Sequence, residues 1–535
     1  MLELDKALWT IPEAVRTQAQ RYGDRVFCTF YNGEVMTFAD LENETNALAS
    51  GLAALGVGPQ DRVLALALNS KAFLLAWVAT MKRGAIFVPI NTELKGAFLE
   101  HQVRNAEPKL VMVDAELRPS FDSMSFVDLS VETTVSLSGD VTPLPGSTLR
   151  SFAQIRQTTA RAQDIVPCGP QTICTIMFTS GTTGPSKGVL MPQGHCYLFG
   201  AQMARSFEMT PEDKMFICMP FFHAMGLTIQ FVGCLTAGTP AHVTRRFSAT
   251  SWVDDIRESE ATITFGLGVI PEFIYRQPPR PQDRDHRLRK MVAVPVSDEW
   301  GPAFEERFGV KLLQGYGMTE CNIPVWYDLN DDLVGGCAGP VIDEFFEVRI
   351  VDAETDEFLA VGEVGEIVIR PKEPSCFMMG YFRMPERTVD AWRNLWFHSG
   401  DAGRFDDRGR LHFVDRIKDC IRRRGENISS YEIEQVLNEH AGVAESAVVG
   451  VRVEGAGGEE EIKACVVVHG NSPEPTELLD WCVPRMPRYA VPRYIEFVSD
   501  LDKTQTGKLR KQDLREGGVT PATWDRESVG YVVPR

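Results

Sequence analysis

The chain has 535 residues, 44% of them hydrophobic and 24% charged, and a net charge of −18. That length exceeds one ordinary core and points to roughly two to four domains or subdomains of a globular protein. The negative balance argues against nucleic-acid or anionic-membrane partners, so any phosphate site has to be built locally, against the overall field.

Taken in chain order, MLELDKALWTIPEAV has no basic region followed by an apolar run, so no signal peptide is expected. VFCTF (26–30) and EVMTF (34–38) flank Tyr31-Asn32-Gly33 and predict a hairpin. Thr37 precedes a helical pattern that Gly56 ends. RVLALAL (62–68), IFVPI (86–90) and PKLVMVD (108–114) read as buried strands. Between the first two, AFLLAWVATMKRG reads as a buried helix closed by Gly84; its apolar run is too short to span a bilayer. This βα rhythm predicts a mostly parallel, two-sided sheet. The Pro-rich stretch from about 270 to 290 predicts a surface loop. From 345 to 415 short strands and tight turns predict a β-rich subdomain. Beyond Asp415 a βα pattern resumes, with YEIEQVLNEH as helix and SAVVGVRV, IKACVVV and YIEFV as strands. The tract is long enough for a small independent domain. The 12 cysteines form no CxxC pair and no metal spacing, which reads as free thiols in a reducing cytoplasm.

Chemistry concentrates first in FTSGTTGPSKGV (178–189), directly after the apolar run ICTIMF. Glycines allow close approach of a ligand to the main chain. Thr179, Ser180, Thr182, Thr183 and Ser186 add hydroxyls, and Lys187 a mobile charge. That combination suits a polyphosphate; the bland alternative is a solvated connection. It is not a P-loop, because Ser186 precedes Lys187 and Gly188 follows it. Nor is it a G-x-S-x-G elbow, because Phe178 stands where Gly is needed. Four further stretches follow: MPFFHAMG (219–226), LLQGYGMTE (312–320), WFHSGDAGRFDDRGRLHFVDRIKD (396–419) and LDKTQTGKLRK (501–511).

In order and spacing, these stretches resemble the adenylate-forming superfamily of acyl-CoA synthetases, luciferases and peptide-synthetase adenylation domains. The resemblance implies an α/β fold. A large N-terminal domain (1–415) would hold two parallel-type βα sheets and a β-barrel-like subdomain. A hinge (416–418) and a small mobile α/β C-terminal domain (419–535) would follow. It implies adenylation of a carboxylic acid by ATP, release of pyrophosphate, then attack on acyl-AMP by the thiol of coenzyme A. The acid is already an anion at neutral pH, so positioning and charge neutralisation dominate over base catalysis.

By the same resemblance Thr179, Ser180, Gly181, Thr182 and Thr183, with Lys187, hold the β- and γ-phosphates, and Thr182 and Glu320 bind Mg2+. Tyr316 stacks on adenine beside Gln314, Gly315 and Thr319. Asp401, helped by Arg416, takes the ribose hydroxyls. Lys508 reaches the α-phosphate and carboxylate oxygens. Lys418 matches the hinge, and Arg422, Arg424 and Gly425 match positions near the acyl-AMP or pantetheine. Arg246 and the arginines of PRMPRYAVPR (484–493) are weaker candidates for the nucleotide end of CoA. His223, where amino-acid-activating relatives carry an Asp, points to an acyl- or aryl-CoA synthetase. MVAVPVSDEW (291–300) departs from the Gly/Ala-rich run of relatives, and Val294 and Val296 are expected to narrow the acyl pocket. Asp502 replaces a Pro common in relatives. The C-terminal stretches most resemble the crotonobetaine/carnitine–CoA ligase branch.

The expected partners are a small-molecule acid, ATP and CoA, with no nucleic acid and no membrane span; a homodimer is compatible. Two alternatives stay open: delivery of acyl-AMP to a separate carrier protein, and a non-catalytic nucleotide-binding protein of this fold.

Overall fold

The computed structural model describes residues 5–533 except 95, 180–185, 268, 269, 295, 297, 299, 328, 418–420, 424, 425, 429, 453–459, 471, 472, 487–489 and 504–508; the side chains of 97, 98, 416, 422, 423, 426, 427, 432 and 452 also lie outside the description. Local signals become elements close to where the sequence puts them. Strands Val26–Phe30 and Val35–Thr37 pair antiparallel, and Gly33 takes φ +82° in the turn between them. Thr37 and Asp40 cap the helix Phe38–Ala54 reciprocally, each side chain accepting the other's backbone N–H at 2.9 Å. Such a box satisfies two otherwise orphaned donors. Ser70 caps Lys71–Lys82, which is buried continuously from Phe73 to Lys82. Apolar all round, it is an interior helix. Its one interior charge, Lys82, donates to Glu42 Oε2 and Asn46 Oδ1, both at 2.7 Å.

The described chain divides into two compact units. One runs from the N-terminal helix to Glu347 and takes in Arg370–Arg393; the other takes Val348–Ile369 and Asn394 onward. The first unit contains two seven-stranded sheets. In one, the order is Thr148–Ser151, Thr133–Ser138, Leu110–Asp114, Arg62–Leu66, Ile86–Pro89, Ile173–Thr179, Lys187–Pro192. All its neighbours are parallel except the last pair. In the other, Lys311–Leu313, Lys290–Val294, Ile263–Leu267, Met215–Ile217, Ala241–Val243 and Val26–Phe30 run parallel, and Val35–Thr37 closes the edge antiparallel. Parallel strands buried on both faces explain the near-continuous apolar runs of the sequence.

The second unit starts with antiparallel strands. Trp396–Phe405 pairs with both Gly365–Pro371 and Arg410–Arg416. After them come the helix Ser430–Asn438 and the sheet order Val443–Arg452, Glu460–Val468, Tyr494–Phe497, Trp524–Asp525. The Pro-rich stretch expected as a loop begins instead with a short helix, Ile270–Tyr275, and only 276–289 runs in turns. Ile274 of that helix belongs to the core beneath the second sheet, so burial overrides the loop-like composition. Among the described residues no helix is long and apolar enough to cross a membrane.

Candidate active site

The glycine- and hydroxyl-rich loop sits at the tip of an antiparallel pair. Ile173–Thr179 and Lys187–Pro192 run in register from Ile176↔Leu190 to Thr179↔Lys187. The tip itself, with Ser180, Gly181, Thr182 and Thr183, lies outside the described residues. Its stem is closely built. A Cβ on Gly188 would come within 2.8 Å of Ile176 Cγ2, so the Ile176 side chain occupies the space a side chain at 188 would need. Thr179 Oγ1 donates to the Lys187 carbonyl at 3.4 Å, and Gln102 Nε2 donates to Ser186 Oγ at 3.0 Å.

Glu320 follows the strand Gly315–Met318, which pairs in a tight hairpin with Asn322–Trp326. A Cβ on Gly317 would sit 2.3 Å from the Asn322 carbonyl, which accounts for the glycine. Gln314 braces the start of the strand: its Nε2 donates to the Val334 carbonyl at 2.8 Å and its Oε1 accepts from Val296 N at 3.1 Å. Tyr316 is largely buried, with its hydroxyl 3.7 Å from Met318 Sδ; Thr319 is half-buried and Glu320 is 4% exposed.

Two residues that the sequence reading passed over hold the Thr319–Glu320 corner. Tyr381 donates its hydroxyl to Glu320 Oε1 at 3.1 Å. The Lys187 ammonium lies 4.2 Å from the centre of the Tyr381 ring, at cation–π distance. The main chain around Tyr381 runs beside the loop stem: Leu190 N donates to Gly380 O at 2.9 Å and Phe382 N to Gly188 O at 2.7 Å. Met378 N donates to the carbonyl of Glu320 itself at 2.9 Å. Loop stem, Lys187, Tyr381 and Glu320 therefore form one connected assembly within the first unit.

His195, fully buried on the helix Gln193–Ser206, is the second. Its Nε2 lies 2.8 Å from the Thr319 carbonyl and its Nδ1 3.0 Å from the Cys376 carbonyl. A neutral imidazole has a single N–H. Asn322 Nδ2 also lies 3.2 Å from Nδ1, so the one N–H serves either the Thr319 or the Cys376 carbonyl. Burial pushes the imidazole down to about 4, against the pull of the two carbonyls, and so keeps it neutral. The signals that could have found these residues are Tyr381 in the run CFMMGYF and His195 just past a buried strand, both chemical residue types in apolar context.

His223 follows the strand Met215–Ile217 and a turn. Its Nδ1 accepts from Met225 N at 3.1 Å, which assigns the proton to Nε2. Directly beyond it Met225–Phe231 is a π-helical turn, a geometry frequent at functional sites. Gly226 is required there, since a Cβ would lie 2.6 Å from the Met219 and Pro220 carbonyls. Val296, expected to narrow the acyl pocket, packs its side chain into the hydrophobic core, and Val296 Cγ1 would be 2.5 Å from a Cβ on Gly301. Val294 ends its strand half-buried, paired with Leu267.

In the second unit Asp401 is 2% exposed, on a strand kinked at Gly400, which has φ +72°. Glu366 holds that kink, accepting Gly400 N at 3.0 Å and lying 2.8 Å from His398 Nδ1. Asp401 is the direct cross-strand partner of Arg416. Arg416 and Arg422 are described in backbone only, and Lys418, Arg424, Gly425 and Lys508 lie outside the described residues. Arg246 is exposed and shares Glu116 with Arg245, at 3.3 and 2.7 Å. Arg493 is committed to the fold by Asp525 and Glu527, each at 3.0 Å.

Residues 15–382 match the family model of the AMP-binding enzymes, and 432–508 match that of the AMP-binding enzyme C-terminal domain. The chain is 30% identical over 502 residues to a crotonobetaine/carnitine–CoA ligase of Salmonella typhimurium, covering 92% of this chain and 96% of that one. Among solved structures it is similar to ATP-bound MatB from Rhodopseudomonas palustris, with a TM-score of 0.82 and 26% identity over 94% of this chain and 98% of that one. The anthranilate CoA ligase AuaEII, in complex with anthranoyl-AMP, shares the fold with a TM-score of 0.84 at 23% identity, over 96% and 97% of the two chains. With the large-domain signature spanning most of its length and the C-terminal signature following in order, this chain belongs to the AMP-binding enzyme family.

Proposed function

We propose that Lys187, Glu320 and Lys508 carry the charge work of this AMP-forming acid–CoA ligase. The chain joins a carboxylic acid to CoA at the expense of ATP. In the first half-reaction a carboxylate oxygen attacks the α-phosphorus and pyrophosphate leaves. In the second the CoA thiol attacks the acyl carbonyl, the thioester forms and AMP leaves. Both steps bring anions together, so rate depends on pre-placed positive charge and donors rather than on a base.

The observation that carries the assignment is Glu320, a buried carboxylate fixed by Tyr381 and linked through that ring to Lys187 of the phosphate loop. A buried oxygen ligand beside a phosphate loop fits Mg2+, which is held by one or two carboxylates plus substrate phosphates. Glu320 and the Thr182 hydroxyl would hold the ion, which offsets phosphate charge when bound. Thr179 to Thr183 take the terminal phosphates through main chain and hydroxyls. Gln314, Gly315, Tyr316 and Thr319 line the adenine, and Asp401 with Arg416 orients the ribose. Lys508 meets the α-phosphate and carboxylate oxygens. His223, with its proton on Nε2, faces the acyl group. Lys418 is the hinge between the half-reactions, Arg422, Arg424 and Gly425 meet the pantetheine arm, and Arg246 meets the nucleotide of CoA. The setting is the cytoplasm.

The test is ATP–pyrophosphate exchange over a panel of acids, headed by crotonobetaine and carnitine because relatives bear those names. Acid-dependent exchange that disappears in Lys508→Ala supports the reading. An acyl-CoA product on adding CoA separates it from carrier loading. Exchange that survives Lys508→Ala overturns the role of Lys508.

A further inference from the structure

We propose that Lys511 is a positioning residue for adenylation, anchoring the stem that flanks Lys508. The proposal rests on the reading of Lys508 given above.

That stem is closed by main chain: Lys503 bridges Leu509 antiparallel, and Arg510 N donates to the Asp502 carbonyl at 2.7 Å. The chain then enters the helix Lys511–Glu516. Its first side chain turns inward. Lys511 Nζ lies 2.8 Å from Glu434 Oε1 and donates to Ser430 Oγ at 2.6 Å, and both members of the ion pair are nearly buried. Ser430 in turn donates to Asp415 Oδ2 at 2.6 Å, and Tyr431 N donates to the same oxygen at 3.2 Å. Val448 N donates to Glu434 Oε1 at 2.6 Å.

Asp415 immediately precedes Arg416, and their strand lies against Ala402 and Asp401. One ammonium thus joins the base of this stem to the Asp401/Arg416 strand pair and to the helix Ser430–Asn438. Main-chain closure fixes the shape of a stem; its attachment to the rest of the unit needs side chains. Burial pushes the Glu434 carboxyl up to about 7, against Lys511 and the Val448 amide, so this carboxylate depends on its lysine for its charge.

A merely structural ion pair would affect both half-reactions alike. A positioning role affects the one that uses Lys508. The full chain is therefore assayed for ATP–pyrophosphate exchange with the best acid of the panel, and separately for thioester formation from presynthesised acyl-AMP and CoA. Lys511→Met is expected to lower exchange by about tenfold to a hundredfold, as misplacement of a catalytic group does, and thioester formation by less than about threefold. Lys511→Arg should restore most of the exchange. The double variant Lys511→Met/Glu434→Leu removes both charges, leaves none orphaned, and carries the test if the single variant does not fold. Hydrogen exchange of the amides of Lys503, Leu509 and Arg510 should quicken in the same variants while the strands Val443–Arg452 and Glu460–Val468 stay protected; this arm needs no acid. Equal loss in both half-reactions, or no loss in exchange, overturns the proposal, as does unchanged protection of Lys503, Leu509 and Arg510. Exchange unaffected by Lys508→Ala fails the reading beneath it instead, and the two failures are distinct.

Discussion

Two segments of this chain carry side chains proposed for the nucleotide reaction, and they are secured differently. In the first unit the described hydrogen bonds to the Thr319–Glu320 corner include three from uncharged groups: the Tyr381 hydroxyl, the neutral His195 ring and the Met378 amide. In the second, the stem that flanks Lys508 is held by the buried ion pair of Lys511 with Glu434. A neutral donor such as the Tyr381 hydroxyl fixes a carboxylate without itself cancelling the charge, which would suit the cation role proposed for Glu320. A buried ion pair commits both charges to the fold and is strongly destabilising to break from one side.

The largest test of this contrast is Glu320→Gln. It keeps the size and acceptor of the side chain and removes the charge. Adenylation should fall by about 10²–10³-fold, the loss typical of one electrostatic contact to the transition state, with thermal stability nearly unchanged. Near-wild-type exchange would show that the neutral cradle holds nothing of catalytic value.

His195 gives a pH test of the same corner. Its folded-state pKa is depressed to about 4 from an ordinary 6.5. Between those values the unfolded chain binds the proton and the folded chain does not, so the stability contributed is full above pH 6.5 and lost as pH falls toward 4. The span corresponds to about 3 kcal/mol. Denaturant titrations should show that loss in the wild type and a visibly flatter profile in His195→Gln. Identical slopes would mean that the ring is protonated in the fold.

Tyr381→Phe removes a single hydroxyl. A hydrogen bond to a charged group is worth about 1.5–3 kcal/mol, so adenylation should drop by roughly ten- to a hundredfold while the ring keeps its place over Lys187. A change in ATP affinity alone, with an unaltered maximal rate, would restrict Tyr381 to binding.

The smallest effect is expected at Arg246, which is exposed and shares one carboxylate with Arg245. Exposed pairs contribute about 0.2–1 kcal/mol, so Arg246→Ala should raise the KM for CoA only a few-fold and leave pyrophosphate exchange unaltered. A large change in exchange would move Arg246 out of the CoA site.

Most of the first unit's scaffold is legible in the sequence because its determinants are local. The apolar runs at 62–68 and 86–90 become parallel strands, Thr37 and Ser70 cap helices, and Gly33 and Gly56 take the left-handed backbone their turns require. The motif residues are legible for the same reason: Thr179 and Lys187 lie within one hairpin, Gln314 to Glu320 within one short stretch. The Pro-rich region was less so, since a buried Ile274 made a helix where composition suggested a loop. The core packing of Val296 was likewise not legible from its place in a motif.

By itself the sequence determined the family chemistry and the order of its parts, because each motif is a contiguous run whose residue types already match phosphate, nucleotide or acid. Only the tertiary structure decided what holds those parts still. Tyr381 reaches Glu320 across 61 positions, His195 reaches Thr319 across 124, and Lys511 reaches Ser430 across 81. A tyrosine, a histidine and a lysine at such separations look ordinary in sequence. Burial makes their bonds count, since a polar group taken out of water needs a partner, and folding alone chooses which one.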